Sequence, residues 1–174
     1  MINEEFEKCM QRMQGRDREG LRAVYEEYNG YIYALLLSYV GKKEDAEDLT
    51  VDFFLRLWDK AGSYRAGSGH KAWISRMAKN LAIDFLRKNQ REIPVEEPVQ
   101  EPVQTVSSAE DTALEGLSFA DMIGRLSEQE KRIVTMKIRG EMTFQEISSL
   151  LEMPVGTVTW RYQEAMKKLR RAKQ

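Results

Sequence analysis

The segment Thr143–Arg171, TFQEISSLLEMPVGTVTWRYQEAMKKLRR, constrains the chain more than any other stretch. Thr143 followed three residues later by Glu146 is a capping box, so a helix starts there. Ile147, Leu150 and Leu151 give that helix one apolar face. Glu152-Met153-Pro154 ends it, because proline disfavours the helical conformation in the residue before it. Val155, Val158, Tyr162, Ala165, Met166 and Leu169 then recur at helical spacing. A short helix, a sharp turn and a second helix with a polar outer face make a helix-turn-helix, whose second helix is built to enter a major groove.

At 100° per residue, Val158, Tyr162, Ala165 and Leu169 fall on one side of the second helix. Thr157, Trp160, Glu164 and Lys167 fall near the other, with Lys168 and Arg171 close by and Arg161 and Gln163 flanking. Polar groups in the first turns suit base edges, and Lys167, Lys168, Arg170, Arg171 and Lys173 suit phosphates. The competing interpretation is a surface helix with a solvated charged face. Turn, caps and basic end agree on DNA, but a helix-turn-helix alone specifies nothing finer.

The rest of the chain is also helical in pattern. Leu21, Val24, Tyr25, Tyr28, Ile32, Leu35, Leu36 and Tyr39 form one apolar stripe, with Gly30 a candidate break. Ala46, Leu49, Phe53, Phe54 and Leu57 form a second. Trp73, Ile74, Met77, Ala78, Leu81, Phe85 and Leu86 form a third. Between the last two lies AGSYRAGSGH, residues 61–70, whose glycines and serines mark a loop. Ser127 and Glu130 make another capping box, for a helix to about Arg139. No alternating strand pattern and no fixed-period repeat is present.

Residues 94–117 break the helical pattern. They hold three of the four prolines and six acidic residues without a Lys or Arg, so they carry −6 between parts of +1 and +4. Proline plus like charge favours an extended, solvated linker at its start, with a return to helix from about Ser107. The expected fold class is therefore all-α. Two small helical domains, 1–93 and 118–174, flank the acidic linker 94–117, and the second is the helix-turn-helix.

Composition excludes several functions. A single cysteine, Cys9, rules out an intrachain disulfide and a cysteine-based zinc cluster, and His70 is the only histidine. No stretch approaches the roughly 20 apolar residues of a membrane span, and MINEEFEKCMQRMQ lacks a signal-peptide core, so a cytoplasmic location is expected. Asp48 and Asp52, four residues apart at the acidic start of the second stripe, suit Mg²⁺, a helix dipole or a docking face. No further carboxylate cluster or histidine joins them, which favours docking with Leu49, Phe54 and Trp58 nearby. No cofactor, metal or catalytic group is expected, and the protein is not expected to be an enzyme. The third stripe ends in Arg87 and Lys88 beside a loop with Tyr64 and Arg65, a combination that suits single-stranded nucleic acid. On spacing alone that helix reads as a core helix with a solvated rim.

These blocks together resemble the extracytoplasmic-function sigma factors, the two-domain branch of the bacterial sigma-70 family. DAEDLTVDFFLRLWDK (45–60) resembles the family's core-polymerase-binding region. SYRAGSGHKAWISRMAKNLAIDFLRK (63–88) resembles its −10-recognition and melting region, and residues 126–171 its −35-binding domain. The resemblance implies a subunit that directs promoter-specific initiation. Its partners would be the β′ coiled coil and β flap of core RNA polymerase, and promoter DNA. An anti-sigma partner is common in the family, though no residue here identifies one. The resemblance assigns Asp48, Asp52, Phe54 and Trp58 to polymerase docking. It assigns Tyr64, Arg65, Lys79, Asn80, Asp84, Arg87 and Lys88 to the −10 strand, with Asn80 and the loop capturing a flipped base. It assigns Thr157, Trp160, Arg161, Gln163, Glu164, Lys167 and Lys168 to the −35 duplex.

The family often reads GTV, a basic residue, Ser and Arg, with a further Arg three residues on. Here Thr159 and Trp160 replace the basic residue and Ser, and Glu164 takes the later Arg position. Glutamate accepts from cytosine N4 but repels phosphate. The alternative to the sigma reading is a helix-turn-helix regulator that is not a polymerase subunit.

Overall fold

The computed structural model describes residues 1–92 and 119–172, and every regular element among them is helical. The chain divides into two compact units, Met1–Lys88 and Asn89–Gln174. The acidic Pro-containing stretch, with its expected return to helix near Ser107, lies outside the described residues, as does Lys173.

The first unit contains α1 (Asn3–Gln14), α2 (Arg18–Val40), α3 (Lys43–Lys60) and most of α4 (His70–Glu92). Helix α1 was not among the expected stripes. It forms because Phe6, Cys9, Met10 and Met13 repeat at three- and four-residue steps and are all buried. Glu4 and Glu5 complement the dipole of its first turn. Cys9 is a core thiol, and burial pushes its pKa up.

Asp17 starts α2 by accepting a hydrogen bond from the Glu19 N–H at 3.0 Å. The helix then runs through Gly30 without a break to Gly41. A glycine inside a helix costs about 1 kcal/mol relative to alanine, and burial of Tyr28, Tyr31, Ile32, Leu35 and Leu36 on either side offsets that. Helix α3 buries Ala46, Leu49, Phe53, Phe54 and Leu57, the whole expected stripe. A 3₁₀ turn at Ala61–Ser63 follows it, and the loop then leads into α4.

His70 joins three helices at the start of α4. It is 1% exposed. Its Nδ1 lies 2.5 Å from Asn3 Oδ1 on α1, and its Nε2 lies 2.5 Å from the Tyr28 hydroxyl on α2. An amide oxygen can only accept, so Nδ1 carries a proton, while Nε2 and the Tyr28 hydroxyl share the second hydrogen bond. The Phe6 ring stacks on the imidazole with centroids 4.6 Å apart. Deeper in the core the Tyr31 hydroxyl meets Ser75 Oγ at 2.5 Å, a second polar link between α2 and α4.

The second unit contains α5 (Phe119–Ile123), α6 (Glu128–Val134), α7 (Phe144–Leu151) and α8 (Val155–Ala172). Both expected capping boxes are present. Ser127 Oγ accepts from the Glu130 N–H at 3.3 Å, and Thr143 Oγ1 accepts from the Glu146 N–H at 3.1 Å. Beyond α6 the backbone widens into a π-helical turn, Thr135–Arg139. Ile123, Leu126, Val134, Ala165 and Leu169 form a core that holds α8 against α5 and α6.

Helices α1 and α2 approach so closely that Gly20 has no room for a side chain. A Cβ there would lie 2.6 Å from the Cys9 carbonyl oxygen and 3.0 Å from Arg12 Cβ. Gly20→Ala should therefore lower stability by about 1–3 kcal/mol despite alanine's better helix propensity. Urea unfolding in a Trp160→Phe background, where Trp58 and Trp73 report on the first unit, checks this; a gain in stability would contradict the packing described.

Candidate functional site

Three surfaces gather the residues singled out by sequence. The first is the outer face of α3. Asp48 is exposed, and Asp52 is half-buried and pairs with Arg56 at 3.3 Å. At helical spacing the same face holds Val51 and Leu55, 62% and 60% exposed. These two apolar residues were missed in the sequence. Their signal was their absence from the buried stripe: apolar residues out of phase with a core face have no partner inside the unit. Phe54 is turned the other way. It is buried, with its ring 4.9 Å from Tyr25 and 5.0 Å from Phe53, so it supports the face from beneath. Trp58 is half-buried at the edge, with the Arg16 guanidinium 5.8 Å from its ring centre.

The second surface is the loop 61–70 with the outer face of α4. Gly67 and Gly69 have φ of 80° and 84°, a left-handed conformation that favours glycine. They turn Arg65, Ala66 and Ser68 out into solvent. Tyr64 points inward instead. Its ring packs edge-on at 5.1 Å from both Phe6 and Trp73, and burial raises its pKa. On α4, Arg76, Asn80, Asp84 and Arg87 share one exposed face, with Lys79 half-buried beside them and Lys88 exposed at the far end. Arg87 and Asp84 lie 3.5 Å apart. Trp73 is half-buried in the aromatic group around Phe6, in keeping with its apolar spacing.

The third surface is the helix-turn-helix. Helix α7 ends at Glu152, which takes a left-handed φ of 54°. A non-glycine residue there costs on the order of 1 kcal/mol. Ser148 offsets it, because its hydroxyl donates to the Met153 carbonyl at 2.5 Å and its own carbonyl accepts from the Met153 N–H at 3.1 Å. Pro154 then opens α8, its carbonyl accepting from Val158 N–H at 3.1 Å. The open face of α8 presents Gly156, Trp160, Gln163, Lys167 and Arg171, with Trp160 57% exposed. Thr157 is half-buried at its edge. Glu164, also half-buried there, pairs with Lys167 at 2.9 Å.

Among the described residues no group of three or more His, Cys, Asp or Glu side chains is arranged to hold a metal ion. No described helix is long and apolar enough to cross a membrane.

Two matches to known families fall along the chain in the order of the two units. Residues 24–92 match Sigma-70 region 2, and residues 116–169 match Sigma-70, region 4. The chain belongs to the sigma-70 family, in its extracytoplasmic-function branch. A sigma factor of this kind is a polymerase-associated protein that directs transcription initiation at promoters.

The relatives agree on the branch. The ECF RNA polymerase sigma factor BldN of Streptomyces coelicolor is 27% identical over 169 residues, covering 94% of this chain; this chain spans 64% of BldN. The ECF RNA polymerase sigma factor SigW of Bacillus subtilis is 24% identical over 178 residues, covering 95% of each chain. The fold resembles that of the Bartonella quintana sigma factor RpoE, solved with the anti-sigma factor NepR. The TM-score is 0.65 at 20% identity, covering 88% of this chain and 96% of RpoE. It also resembles CnrH, solved with the cytosolic domain of CnrY, with a TM-score of 0.60 at 15% identity, covering 97% and 96% of the two chains.

In this sigma factor two cations that sequence placed near DNA act on a buried carboxylate of the second unit. Lys168 Nζ lies 2.7 Å from the carboxylate of Glu130, which is buried. Arg161 is half-buried, with its Nε out of solvent and without a hydrogen-bond partner, and its charge acts on the same carboxylate. Burial alone pushes the Glu130 carboxyl up. The Lys168 ammonium, the Ser127 N–H and the Arg161 charge outweigh it and hold the pKa below its ordinary value.

A carboxyl whose pKa is lower in the folded state stabilises the fold above its unfolded value, about 4.3 for glutamate, and this contribution is lost as pH falls through the folded value. Glu130→Gln should therefore flatten the loss of stability of the second unit below about pH 4.3. Lys168→Ala should cost about 1–3 kcal/mol at pH 7, because it strands a buried carboxylate. Urea unfolding of the full chain, followed by NMR intensities from α6 and α8, checks both; an unaltered acid limb in Glu130→Gln would remove the ion pair from the account of stability.

Proposed function

We propose that this sigma factor docks on core RNA polymerase through the outer face of α3. From there it directs initiation at promoters whose melted −10 strand is held by the loop 61–70 and α4, and whose −35 duplex is read by α8. The observation that carries this reading is the α3 face itself. Val51 and Leu55 expose apolar surface that serves nothing within the unit, among the carboxylates of Asp48, Asp52 and Asp59. An apolar centre with a charged rim is the anatomy of a protein interface. Phe54 and Trp58 brace that face; Asp48, Val51, Asp52 and Leu55 meet the partner. The β′ coiled coil is the proposed partner for α3, and the β flap a partner for the second unit.

No covalent chemistry is involved, and the protein is proposed to work in the cytoplasm beside the polymerase. Extruding a base costs a few kcal/mol, and pocket contacts plus stacking must supply it. One stacked base returns roughly 1–3 kcal/mol. Those scales are matched closely enough that stable melting depends on the polymerase as well. Asn80 and Arg65 offer exposed hydrogen-bonding groups to the base and backbone, Lys79, Arg87 and Lys88 offer charge, and Asp84 orients Arg87. At the −35 element Trp160, Gln163 and Thr157 face the bases, Lys167 and Arg171 face phosphates, and Lys168 ties α8 to Glu130 of α6. Glu164 sets the charge of Lys167 against its own. Joining both readers in one chain raises their effective concentration for each other's sites. An anti-sigma protein, as in the solved RpoE complex, is proposed as a competitor for these surfaces.

Run-off transcription from a promoter library with the full chain and core polymerase tests the whole reading; absence of any specific transcript rejects it. Leu55→Asp should weaken polymerase binding at least tenfold in a competition assay. It should change unfolding stability by no more than about 0.5 kcal/mol, as for an exposed substitution. Unchanged affinity would take the docking role away from α3. Asn80→Ala should reduce open-complex formation by roughly tenfold, on the scale of one base contact, with polymerase affinity intact. Equal loss of both, measured by permanganate footprinting and by competition, would count against a base-contacting role.

A further inference from the structure

Helix α1 lies outside the matched family region, which starts at residue 24. Yet one stripe of α1 meets the loop 61–70 at its start, tip and end. Gln14 Nε2 donates to the Ala61 carbonyl at 3.0 Å. The Glu7 carboxylate accepts from the Gly67 N–H at 2.9 Å. Asn3 Oδ1 accepts from His70 Nδ1. Phe6, on the same helix, carries the inward Tyr64 ring.

The tip is the part that needs holding. Arg65, Ala66, Gly67 and Ser68 are all exposed. Their own closures are local, since the Ser68 N–H and Ser68 Oγ both donate to the Arg65 carbonyl. Gly67 and Gly69 hold left-handed φ with open space where a Cβ would stand, so sterics do not fix the tip. The bond to Glu7 spans 60 residues of sequence and joins this exposed turn to the helical body. A charged acceptor makes such a bond stronger than a neutral one.

We infer that Glu7 is a positioning residue for promoter recognition, fixing the tip of the 61–70 loop so that Arg65 meets the −10 strand in one prepared geometry. This rests on the reading of that loop as the −10 contact. Without the tie, the loop is ordered only as DNA binds, and the cost of ordering is taken from affinity and from discrimination between bases. Glutamine in place of Glu7 keeps an oxygen acceptor for the Gly67 N–H and loses only the charge, whereas alanine loses the bond.

The test uses the full chain with core polymerase and a promoter selected by the wild-type protein, comparing Glu7→Ala, Glu7→Gln and Arg65→Ala. Glu7→Ala should speed hydrogen exchange of the Gly67 amide in the free protein. It should lower open-complex formation by about tenfold, the scale of one charge-assisted hydrogen bond. It should also blunt the penalty for single-base changes in the −10 element, with polymerase affinity unchanged. Glu7→Gln should restore these to within about twofold. Unaltered Gly67 exchange in Glu7→Ala overturns the inference. So does unaltered open-complex formation in Glu7→Ala while Arg65→Ala impairs it, which leaves the loop reading standing. If neither variant affects promoter opening, the loop reading fails and the inference with it. A parallel fall in polymerase affinity in Glu7→Ala marks a general structural role and also overturns it.

Discussion

The buried imidazole of His70 holds the first unit's recognition surface in place. It is the first residue of α4, and its two nitrogens are committed to Asn3 of α1 and Tyr28 of α2. Those bonds, with the Phe6 ring stacked on one face, set where α4 begins and how it is rotated. Everything presented on the outside of that helix inherits the rotation: Arg76, Asn80, Asp84 and Arg87. A buried polar group is tolerated only when its hydrogen-bonding capacity is met, and each nitrogen of this imidazole has a partner. The same constraint aligns the loop, because its last residue is anchored by the side chain that starts the helix.

The second unit depends on a comparable device of opposite character. A buried carboxylate, Glu130, both completes the capping box of α6 and accepts from Lys168 of α8. Local helix initiation and the docking of the recognition helix thus share one side chain. Desolvation of that carboxylate is unfavourable in isolation, and the Ser127 N–H and the two cations of α8 offset it.

Much of the fold was legible in the sequence because its stop and start signals are chemical. Capping boxes at Ser127/Glu130 and Thr143/Glu146, and Pro154, each act within a turn of the residue concerned, so short-range reasoning locates them. Helix α1 was passed over because its charges dominate its composition, although Phe6, Cys9, Met10 and Met13 carry the period. Gly30 looked like a break because propensity is local, while the burial that overrides it comes from α2's neighbours. The π-helical turn at Thr135–Arg139 left no mark in a pattern that was read at 3.6 residues per turn. The outward polar face of α4 and the carboxylates of α3 followed from periodicity, but the exposed Val51 and Leu55 were missed. Periodicity placed Phe54 in the core, but it could not say that Tyr64 turns inward or that Lys168 is claimed by Glu130. Those facts depend on which helix lies alongside, and a helical wheel carries no neighbours.

The pairing of Lys168 with Glu130 divides α8 lengthwise into an anchored side and a reading side. Substitutions at Trp160, Gln163 or Lys167 can drift without disturbing how the rod is seated. Substitution of Lys168 unseats it. Retargeting this protein to a new upstream sequence is thus a problem confined to a narrow strip of side chains, and transplanting a whole foreign helix would fail unless it brought its own partners for that buried acid.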